Sequence, residues 1–354
     1  MSINELREKI DHLDNEILEL LSQRARIAQE IGKGKTRVSG QFYAPEREVQ
    51  IFERLNAANP GPFPPAAIKA IFREVISASR ALEAVMRIAY LGPEGTFSHQ
   101  AAIEKFGNSA GFIPVQTIAD VFAMVERNEA DYGIVPIENS NEGVVPVTLD
   151  LFARGRLKVC AEVYIRVIHN LATIAKDLSV VTRLYAHPQS SAQCRVWLRD
   201  HFQRVEIIET TSNARSAQLA AEDALSVAIT TDIAAELYGL ELAATHIEDS
   251  AHNRTRFLVI GDNEPQPSGR DKTSIYFSVQ HRAGALMRAM GALDAHDINV
   301  SMIESRPTKL MPWEYVFFLD FSGHVKEARV SRALKHLAEQ SMFVTVLGSY
   351  PEAE

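Results

Sequence analysis

Residues 6–35 read LREKIDHLDNEILELLSQRARIAQEIGKGK, and this stretch decides the fold of the first part of the chain. Its apolar residues recur at intervals of three and four, which is typical of one face of a long helix. They are Leu6, Ile10, Leu13, Ile17, Leu20, Ile27 and Ile31. Ser2 and Glu5 have the spacing of a capping box. We therefore predict one helix over roughly residues 4–36.

Two further helices complete an all-helical domain over residues 1–86. The second is predicted to start after Pro45, and the sequence NPGPFPP (59–65) separates it from the third. The third carries Ile68, Phe72, Val75, Leu82 and Met86 on one face. Because three helices with so long a first member cannot bury these faces alone, we expect a homodimer that closes the core.

One cation interrupts the apolar series of the first helix. Arg24 stands in the sequence of positions 10, 17, 24 and 31, so its guanidinium is aimed at the core and needs an anion. Lys35 lies about 20° away around the helix, whereas Arg7 is rotated by about 100° and serves a different pocket. Ser79 and Glu83 are one turn apart in the third helix. A ligand site and a structural ion pair at a dimer interface both remain open.

The pattern changes near Arg87, where short apolar strands begin to alternate with helical stretches. This order predicts an α/β domain over residues 87–262. The polar segment GDNEPQPSGRDK (261–272) is typical of a linker. The remaining residues, 271–354, follow the order strand, helix, strand, strand, helix, strand, which is the α+β ferredoxin-like motif.

Five polar loops occur at strand ends in the α/β segment: GPEGTFS (92–98), ENSNEG (138–143), HPQSSAQC (187–194), TTSN (210–213) and NRTRF (253–257). Open α/β sheets bind ligands beyond the carboxyl ends of their strands. Hydroxyls, amides and backbone N–H groups at helix starts can hold a carboxylate. Helix capping explains any one of these loops, but five in one domain favour a binding cleft.

The composition excludes several classes of function. The formal net charge is −8 and no dense Lys/Arg run occurs, so nucleic acid is not an expected partner and any anion must meet a few placed cations. Cys160 and Cys194 form no CxxC and the histidines no HExxH, so we expect no metal and no cofactor. Buried free thiols, a charged N-terminus and the lack of a long apolar run predict a cytoplasmic protein without a membrane span.

Residues 6–35, followed by FYAPEREVQIFERL (42–55), resemble the all-helical chorismate mutase family. The resemblance implies a substrate site made of Arg7, Arg24, Lys35, Arg47, Glu48, Ser79 and Glu83. Arginines would grip the carboxylates of chorismate, with Arg7 entering the partner's pocket. Lys35 and Glu83 would act on the breaking ether oxygen. Glu83 stands where many members carry Gln, and Ala44 where some carry Asp.

The loops GPEGTFS, VPIENSNEG and NRTRF together resemble the prephenate dehydratase family. The resemblance implies two α/β lobes around a cleft, as in type II periplasmic binding proteins, and makes Thr255 the hydrogen-bond donor to the leaving hydroxyl. The implied substrate contacts are Thr96, Ser98, Asn139, Ser140, Gln193, Ser212 and Thr255. Arg256 either pairs with a carboxylate or is a surface strand residue.

The last segment contains GAL (284–286) and ESRP (304–307), which resemble the phenylalanine-binding motifs of the ACT domain. The implied ligand residues are Gly284, Ala285, Leu286, Glu304, Ser305, Arg306 and Pro307. Ala283 stands where Pro is usual, and Pro there would only preset the first helical turn. The alternative is that Glu304 and Arg306 form an ordinary exposed ion pair.

The three resemblances occur in the order of bifunctional chorismate mutase–prephenate dehydratases. They imply conversion of chorismate to prephenate and then to phenylpyruvate in phenylalanine biosynthesis, with L-phenylalanine as allosteric inhibitor. Two alternatives remain: an arogenate dehydratase fused to a mutase, and a non-enzymatic amino-acid sensor.

Overall fold

The structure, a computed structural model, describes residues 2–34, 43–202, 205–307 and 315–353. The helices are α1 (Ile3–Gly34), α2 (Pro45–Ala58), α3 (Pro65–Ala81), α4 (Phe97–Phe106), α5 (Ile118–Glu126), α6 (Pro146–Phe152), α7 (Pro188–Gln193), α8 (Arg195–His201), α9 (Asn213–Ala221), α10 (Asp232–Leu237), α11 (Ala285–Asp294) and α12 (Ala328–Glu339). The strands are β1 (Arg87–Leu91), β2 (Gly111–Val115), β3 (Tyr132–Asn139), β4 (Gly143–Val144), β5 (Lys158–Arg166), β6 (Asn170–Thr173), β7 (Arg183–Ala186), β8 (Glu206–Glu209), β9 (Ser226–Thr230), β10 (Glu241–Ala244), β11 (Arg254–Gly261), β12 (Asp271–Ser278), β13 (Val300–Pro307), β14 (Tyr315–Ser322) and β15 (Phe343–Pro351). We refer below to the helical segment (2–86), the middle segment (87–262) and the C-terminal segment (271–353).

The helical segment contains α1, α2 and α3, as the apolar spacing predicts. Ser2 and Glu5 exchange the two hydrogen bonds of a capping box, at 2.8 and 3.3 Å. The third helix ends at Ala81, so Leu82 and Met86 lie beyond the face on which they were predicted. The seven apolar residues of α1 remain 47–63% exposed in the single chain. A long helix with an uncovered apolar face is what the dimer prediction requires.

The middle segment contains two sheets. The first has the order β2-β1-β3-β11-β5, with β4 paired to β3, and the second has the order β10-β6-β9-β7-β8. The chain leaves the first sheet after β5, builds the second, and returns to the first through β11, which runs antiparallel between β3 and β5. Residues 88–90 of β1 and all of β9 are buried, as expected when helices cover both faces of a sheet.

The C-terminal segment forms one antiparallel sheet of order β13-β14-β12-β15 with α11 and α12. The predicted order of its strands and helices is confirmed. The predicted linker is too long, because β12 begins at Asp271, and Asp271 and Lys272 are buried in it. These charged residues are of the type found in linkers, yet Asp271 accepts from the half-buried Ser268 and Lys272 donates to the buried Glu162.

The C-terminal sheet packs against the first sheet of the middle segment and shares a core with it. Val316, Phe318, Leu347 and Tyr350 belong to the same buried apolar cluster as residues of β1, β3, β5 and β11. Strands β15 and β5 approach so closely that a Cβ at Gly348 would collide with the carbonyl oxygen of Val159. Glycine at position 348 is therefore required by this packing.

Tyr43 joins the helical segment to the middle segment. Its ring is 1% exposed and contacts Phe106 and Tyr132 of the middle segment, with centroids 5.1 and 5.4 Å apart. Asn263, just after β11, donates to the Tyr43 carbonyl oxygen at 3.2 Å. The connection that leads into α2 is thus anchored in the core of its neighbour, two residues before Pro45.

Cys160 and Cys194 are buried and unpaired, as predicted. Among the described residues, no helix combines the length and the apolar character needed to cross a membrane. Within the same residues, no group of three His, Cys, Asp or Glu side chains is arranged to hold a metal ion.

Candidate active sites

A cavity of about 200 Å³ lies between the two sheets of the middle segment. The starts of α4, α7 and α9 and the ends of β3 and β5 contribute to its wall, together with the start of β11. Its lining residues are Thr96, Phe97, Asn139, Val167, His169, His187, Gln189, Ser190, Gln193, Thr211, Ser212, Asn213, Asn253 and Thr255. Because both sheets supply them, the cavity depends on the chain crossing twice between the sheets.

The hydroxyl of Thr255 is oriented by Asn139. The side-chain nitrogen Nδ2 of Asn139 donates to Thr255 Oγ1 at 2.8 Å. The amide is itself fixed, because its Oδ1 accepts from the backbone N–H groups of Asn141 and Glu142 at 3.0 and 3.1 Å. A hydroxyl that accepts one hydrogen bond still has its own proton to donate. Thr255 therefore presents a donor to a ligand in the cavity.

A row of amides extends from Asn139 across the cavity. Asn139 Nδ2 also donates to Asn253 Oδ1 at 2.8 Å, and Asn253 Nδ2 donates to Gln193 Oε1 at 3.1 Å. The ring nitrogen Nε2 of His169 lies 2.8 Å from the same Gln193 oxygen. Burial lowers the pKa of His169, so the ring is neutral at pH 7. Since Gln193 Oε1 accepts, the geometry assigns the ring proton to Nε2 and leaves Nδ1 as an acceptor.

Two longer helices start at the cavity and are capped by hydroxyls. Thr96 caps α4, and Ser212 caps α9 by accepting from the Arg215 N–H at 3.1 Å. Gly95, at φ +84°, lets the loop before α4 pass against Ala234 of α10, the helix that follows β9, where a Cβ would collide. Thr231 donates to the Gly95 carbonyl oxygen at 2.8 Å and ties the two sheets together there. Helix starts of this kind favour anionic ligands.

Five of the eight predicted contacts line the cavity: Thr96, Asn139, Gln193, Ser212 and Thr255. Ser98 does not, because it is buried within the first turn of α4. Ser140 does not either, because its hydroxyl accepts from the Arg254 N–H at 3.0 Å outside the cavity. The prediction that these two serines contact a ligand is not supported by the geometry.

Arg256 also lies away from the cavity, and of the two interpretations drawn from the sequence the surface position needs correction. Neighbouring strand residues face opposite sides of a sheet, so Arg256 points away from the side to which Thr255 points. It is 4% exposed and paired with two carboxylates of the protein itself, Glu162 and Asp320. It is neither a surface residue nor a cavity cation. Within the described residues no Lys or Arg lines the cavity. The sequence predicted that a bound anion would be held by a few cationic side chains, and this lining does not supply them.

Several lining residues were missed in the sequence although most lie in the loops quoted for this segment. His187 and Ser190 belong to HPQSSAQC, Asn213 to TTSN and Asn253 to NRTRF. Their position in strand-end loops was a usable signal, since both sheets direct such loops to one cleft. His169 had a weaker signal, because it stands between β5 and β6, neither of which was predicted from the sequence.

The helical segment brings together part of the second predicted site. Arg24 Nη1 donates to Ser79 Oγ at 2.7 Å, and Ser79 donates to the Val75 carbonyl oxygen at 2.6 Å. Burial lowers the pKa of Arg24, but the guanidinium remains a cation. Glu83 follows the end of α3 and packs over Gly32 of α1, which leaves no room for a Cβ at that glycine.

The other residues of this site are not assembled in one chain. Arg47 is exposed and donates to Gln50 at 3.2 Å, while Glu48 pairs with Arg80 at 2.6 Å. Arg7 is 17 residues before Arg24 on α1, which places it about 25 Å away along the axis. It cannot share a pocket with Arg24 of the same chain. Lys35 lies outside the described residues.

The residues predicted to bind phenylalanine lie in two places in the C-terminal segment. Gly284 precedes α11 with φ +74°, and Ala285 and Leu286 begin that helix. Glu304, Ser305, Arg306 and Pro307 end the edge strand β13. Arg306 pairs with Asp150 of α6 at 3.1 Å, so its ion pair joins the C-terminal segment to the middle segment.

Comparison with known proteins identifies relatives over the whole chain. A family model described as prephenate dehydratase matches residues 88–265, and one described as chorismate mutase type II matches residues 6–84. A bifunctional chorismate mutase/prephenate dehydratase of Aquifex aeolicus is 45% identical over 355 residues, covering 99% of this chain and 98% of the relative. One of Neisseria gonorrhoeae is 44% identical, covering 98% and 96%. The solved structure of a prephenate dehydratase from Arthrobacter aurescens, in complex with L-Phe, has a TM-score of 0.70 at 33% identity and covers 76% of this chain and 90% of that one.

Proposed function

The chain belongs to the family of bifunctional chorismate mutase/prephenate dehydratases, and from that premise we propose which residues carry its two reactions and its regulation. It is an enzyme with both activities. It rearranges chorismate to prephenate, and it dehydrates and decarboxylates prephenate to phenylpyruvate in phenylalanine biosynthesis.

The dehydratase reaction is assigned to the cavity of the middle segment, with Thr255 as the donor to the leaving hydroxyl. Prephenate loses carbon dioxide and hydroxide, and the ring becomes aromatic, so the enzyme mainly has to help the hydroxyl leave. The single observation that carries the assignment is the hydrogen bond from Asn139 Nδ2 to Thr255 Oγ1. It leaves the Thr255 proton free for the substrate. A threonine hydroxyl is a poor acid, so it stabilises the departing oxygen by hydrogen bonding and does not ionise.

The carboxylates of prephenate are assigned to neutral groups. Thr96 and Ser212 stand at the starts of α4 and α9, and Gln193 offers its side-chain NH₂ group. Such groups bind an anion through hydrogen bonds and helix-end dipoles. A cavity without Lys or Arg among its described residues would also release an organic anion more readily than a guanidinium clamp.

The mutase reaction is assigned to a site shared by two chains. Arg24, Ser79 and Glu83 of one chain are within one region of α1 and α3, whereas Arg7 has to come from a second copy. The exposed apolar face of α1 supports the same homodimer. Arg47, Glu48 and Lys35 complete the assigned site. The reaction is pericyclic, so the residues hold a compact conformer and stabilise charge on the ether oxygen.

The C-terminal segment is assigned as a ferredoxin-like ACT domain that binds L-phenylalanine and inhibits the dehydratase. The sheet order β13-β14-β12-β15 fits that motif, and the A. aurescens relative was solved in complex with L-Phe. The ligand residues would be Gly284–Leu286 and Glu304–Pro307. The two sheets of the middle segment are likewise assigned to the type II periplasmic-binding-protein arrangement, since the chain crosses twice between them.

A cytoplasmic location is part of the proposal. Two buried cysteines that remain unpaired fit a reducing compartment. Fractionation of cells of the source organism, with a secreted marker as control, would test it.

Single substitutions test the two sites in the full-length protein. Arg24→Ala should abolish mutase activity and spare the dehydratase, whereas Arg26→Ala, two residues away on the exposed side, should change neither. Thr255→Ala should abolish dehydratase activity and spare the mutase, and Thr255→Ser should retain part of it. Chorismate, prephenate and arogenate are offered separately, and prephenate, phenylpyruvate and phenylalanine are followed. Loss of both activities in either folded alanine variant would contradict the two-site assignment.

Inhibition is tested by Glu304→Ala at the end of β13, with Glu339→Ala at the exposed end of α12 as the matched control. The first variant should need more phenylalanine for half-inhibition of the dehydratase, and the second should behave as the unaltered protein. Equal sensitivity of both variants would remove Glu304 from the regulatory site.

A further inference from the structure

His187 lines the cavity between the two sheets, yet no step assigned above uses it. It follows β7 and caps the start of α7, because its Nδ1 accepts a hydrogen bond from the Gln189 N–H at 3.3 Å. An imidazole nitrogen that accepts a hydrogen bond carries no proton, so in the neutral ring the proton is on Nε2. The capping bond therefore selects the tautomer whose donor lies on the side of the ring away from Gln189.

This donor is available to a ligand. The His187 ring is half-buried, and its Nε2 has no hydrogen-bond partner among the described residues. Burial lowers the pKa of His187, and the Glu209 carboxylate at the end of β8 only partly offsets this, so the ring is neutral at pH 7. Protonation of Nδ1 would also set its N–H against that of Gln189 and break the cap. His187 is thus an oriented N–H donor and not a cation.

The second histidine of the cavity cannot supply such a donor. His169 is 1% exposed, its Nε2 is paired with Gln193 Oε1 at 2.8 Å, and its Nδ1 is buried without a partner. The two rings are near enough that a positive charge on His187 would lower the pKa of His169, so two charged rings in one cavity are disfavoured. Of these two rings, only that of His187 has a nitrogen within reach of a ligand.

The shape of prephenate decides which of its groups would meet His187. Its leaving hydroxyl is on one carbon of a six-membered ring, and the carbon opposite carries both a carboxylate and the pyruvyl side chain. Thr255, the proposed donor to the hydroxyl, belongs to the first sheet, whereas His187, Ser190 and Ser212 follow strands of the second. A substrate whose hydroxyl is bound at Thr255 therefore directs its carboxylates across the cavity towards His187.

The two carboxylates of prephenate make opposite demands on a donor. One leaves as carbon dioxide, so its negative charge is lost in the transition state. A hydrogen bond to it would stabilise the substrate more than the transition state and would oppose the reaction. The other carboxylate belongs to the pyruvyl side chain and stays charged throughout. A donor on this second carboxylate holds the substrate without raising the barrier.

We propose that His187 binds the pyruvyl carboxylate of prephenate through its neutral Nε2–H group, in the orientation fixed by the hydrogen bond from Gln189. This inference rests on the assignment of the dehydratase reaction to the cavity, and it adds a substrate-binding residue that was not among the predicted contacts. Phenylpyruvate, the product, keeps the same carboxylate, so the affinities for substrate and product both depend on His187.

His187→Ser and His187→Ala in the full-length protein test the proposal. Serine is a good N-cap residue and can still accept from the Gln189 N–H, whereas alanine cannot, and neither replaces the imidazole donor. We expect both variants to raise KM for prephenate roughly 10- to 100-fold, the factor a hydrogen bond to a charged group is worth, and to leave kcat within about threefold.

Two further measurements identify the bound group and the charge of the ring. The competitive inhibition constant of phenylpyruvate should rise by a factor similar to that of KM. The ratio of the His187→Ser KM to the original KM should stay constant from pH 7 to 9, because the lost donor is neutral throughout that range. His201→Ser is the matched control, since it makes the same change at an exposed position of α8, and its KM should not change. Mutase activity of each preparation monitors folding.

Three results would overturn the proposal. A normal KM in His187→Ser beside a raised KM in His187→Ala would show that the residue only caps α7. A raised KM with an unchanged phenylpyruvate constant would place the donor on the departing carboxylate. A KM ratio that falls towards one as the pH rises would show that the ring binds as a cation.

Thr255→Ala separates this inference from the assignment on which it rests. If Thr255→Ala abolishes turnover while His187→Ser leaves KM unchanged, only the role of His187 is wrong. If neither variant differs from the original protein, the cavity is not the dehydratase site and both fail.

Discussion

Asn139→Asp most directly tests whether Asn139 orients the Thr255 hydroxyl as a hydrogen-bond donor to the substrate. The change replaces one side-chain NH₂ group by oxygen and keeps the size of the side chain. The oxygen that accepts from the Asn141 and Glu142 N–H groups is retained, so the loop should keep its conformation. What disappears is the donor to Thr255 Oγ1 and to Asn253 Oδ1, both at 2.8 Å.

The consequence for catalysis follows from the direction of the hydrogen bonds. An ionised carboxylate at position 139 would accept from the Thr255 hydroxyl, which would then have no proton left for the departing oxygen of prephenate. It would also face the Asn253 oxygen and a dianionic substrate. Loss of one placed donor in sites of this type costs about 2.7–4 kcal/mol, or roughly 100- to 1,000-fold in kcat. We expect dehydratase kcat to fall by at least the lower factor.

The pH dependence has a definite sign. Protonation of the introduced carboxylate restores one donor, so the dehydratase kcat of the variant should rise as the pH is lowered, whereas that of the original protein should not show this rise. The assay follows phenylpyruvate from prephenate across a pH series, with mutase activity of the same preparation as internal control. Asn139→Ala is the companion variant, because it cannot regain a donor at any pH. An Asn139→Asp protein with kcat within about threefold of the original would refute the reasoning that Asn139 orients Thr255.

Three further outcomes are expected. Tyr43→Ala should destabilise the protein by about 3–5 kcal/mol. Tyr43→Phe should leave the melting temperature unchanged or raise it, because the buried hydroxyl has no partner among the described residues. A lowered melting temperature for the Phe variant would contradict this. Glu83→Gln keeps a hydrogen-bond donor at every pH, so it should raise mutase kcat/KM on the alkaline side and flatten its pH profile; an unchanged profile would remove Glu83 from the ether oxygen. Burial lowers the pKa of His169 below 6.5. The contribution of the neutral ring to stability is therefore complete above pH 6.5 and is lost as the pH falls through the lowered pKa. Between pH 7 and 5 the melting temperature of His169→Gln should drop less than that of the original protein, and an equal drop would show that this ring does not titrate on unfolding.

The parts of the fold with strong periodicity could be read from the sequence. The spacing of Leu6 to Ile31 predicts α1 to within about two residues of its observed ends. The order of strands and helices in the C-terminal segment was equally predictable, because each element has its own alternating or helical pattern. Strands β2, β4, β5, β6 and β10 were not predicted. Strands β2 and β10 are short and only partly buried and carry little pattern, whereas β5 and β6 are largely buried and form an almost continuous apolar run. The sheet to which each strand belongs could not be predicted, because β11 completes the first sheet only after the chain has formed the second.

The candidate site residues were predictable where a sequence motif is characteristic of a particular chemistry. Thr255, Asn139, Thr96, Gln193 and Ser212 line one cavity because strand-end loops of both sheets converge there. The partners of Arg256 could not be predicted, for a physical reason. Strand alternation shows that it faces away from Thr255, but only the tertiary structure reveals that this face is covered by the carboxylate of Asp320 and the hydroxyl of Tyr350.

Removal of the C-terminal segment should free the dehydratase from regulation, because the residues assigned to phenylalanine binding, Gly284 to Leu286 and Glu304 to Pro307, all lie in that segment. Binding of phenylalanine can inhibit at a distance only by favouring one state of the protein over another.

A protein ending at Asp262 is expected to keep dehydratase turnover and to lose its response to phenylalanine, as measured by phenylpyruvate formation with and without phenylalanine. The full-length Glu304→Ala variant serves as the control for loss of the phenylalanine response alone. Undiminished inhibition of the truncated protein would refute the assignment of the regulatory site to the C-terminal segment.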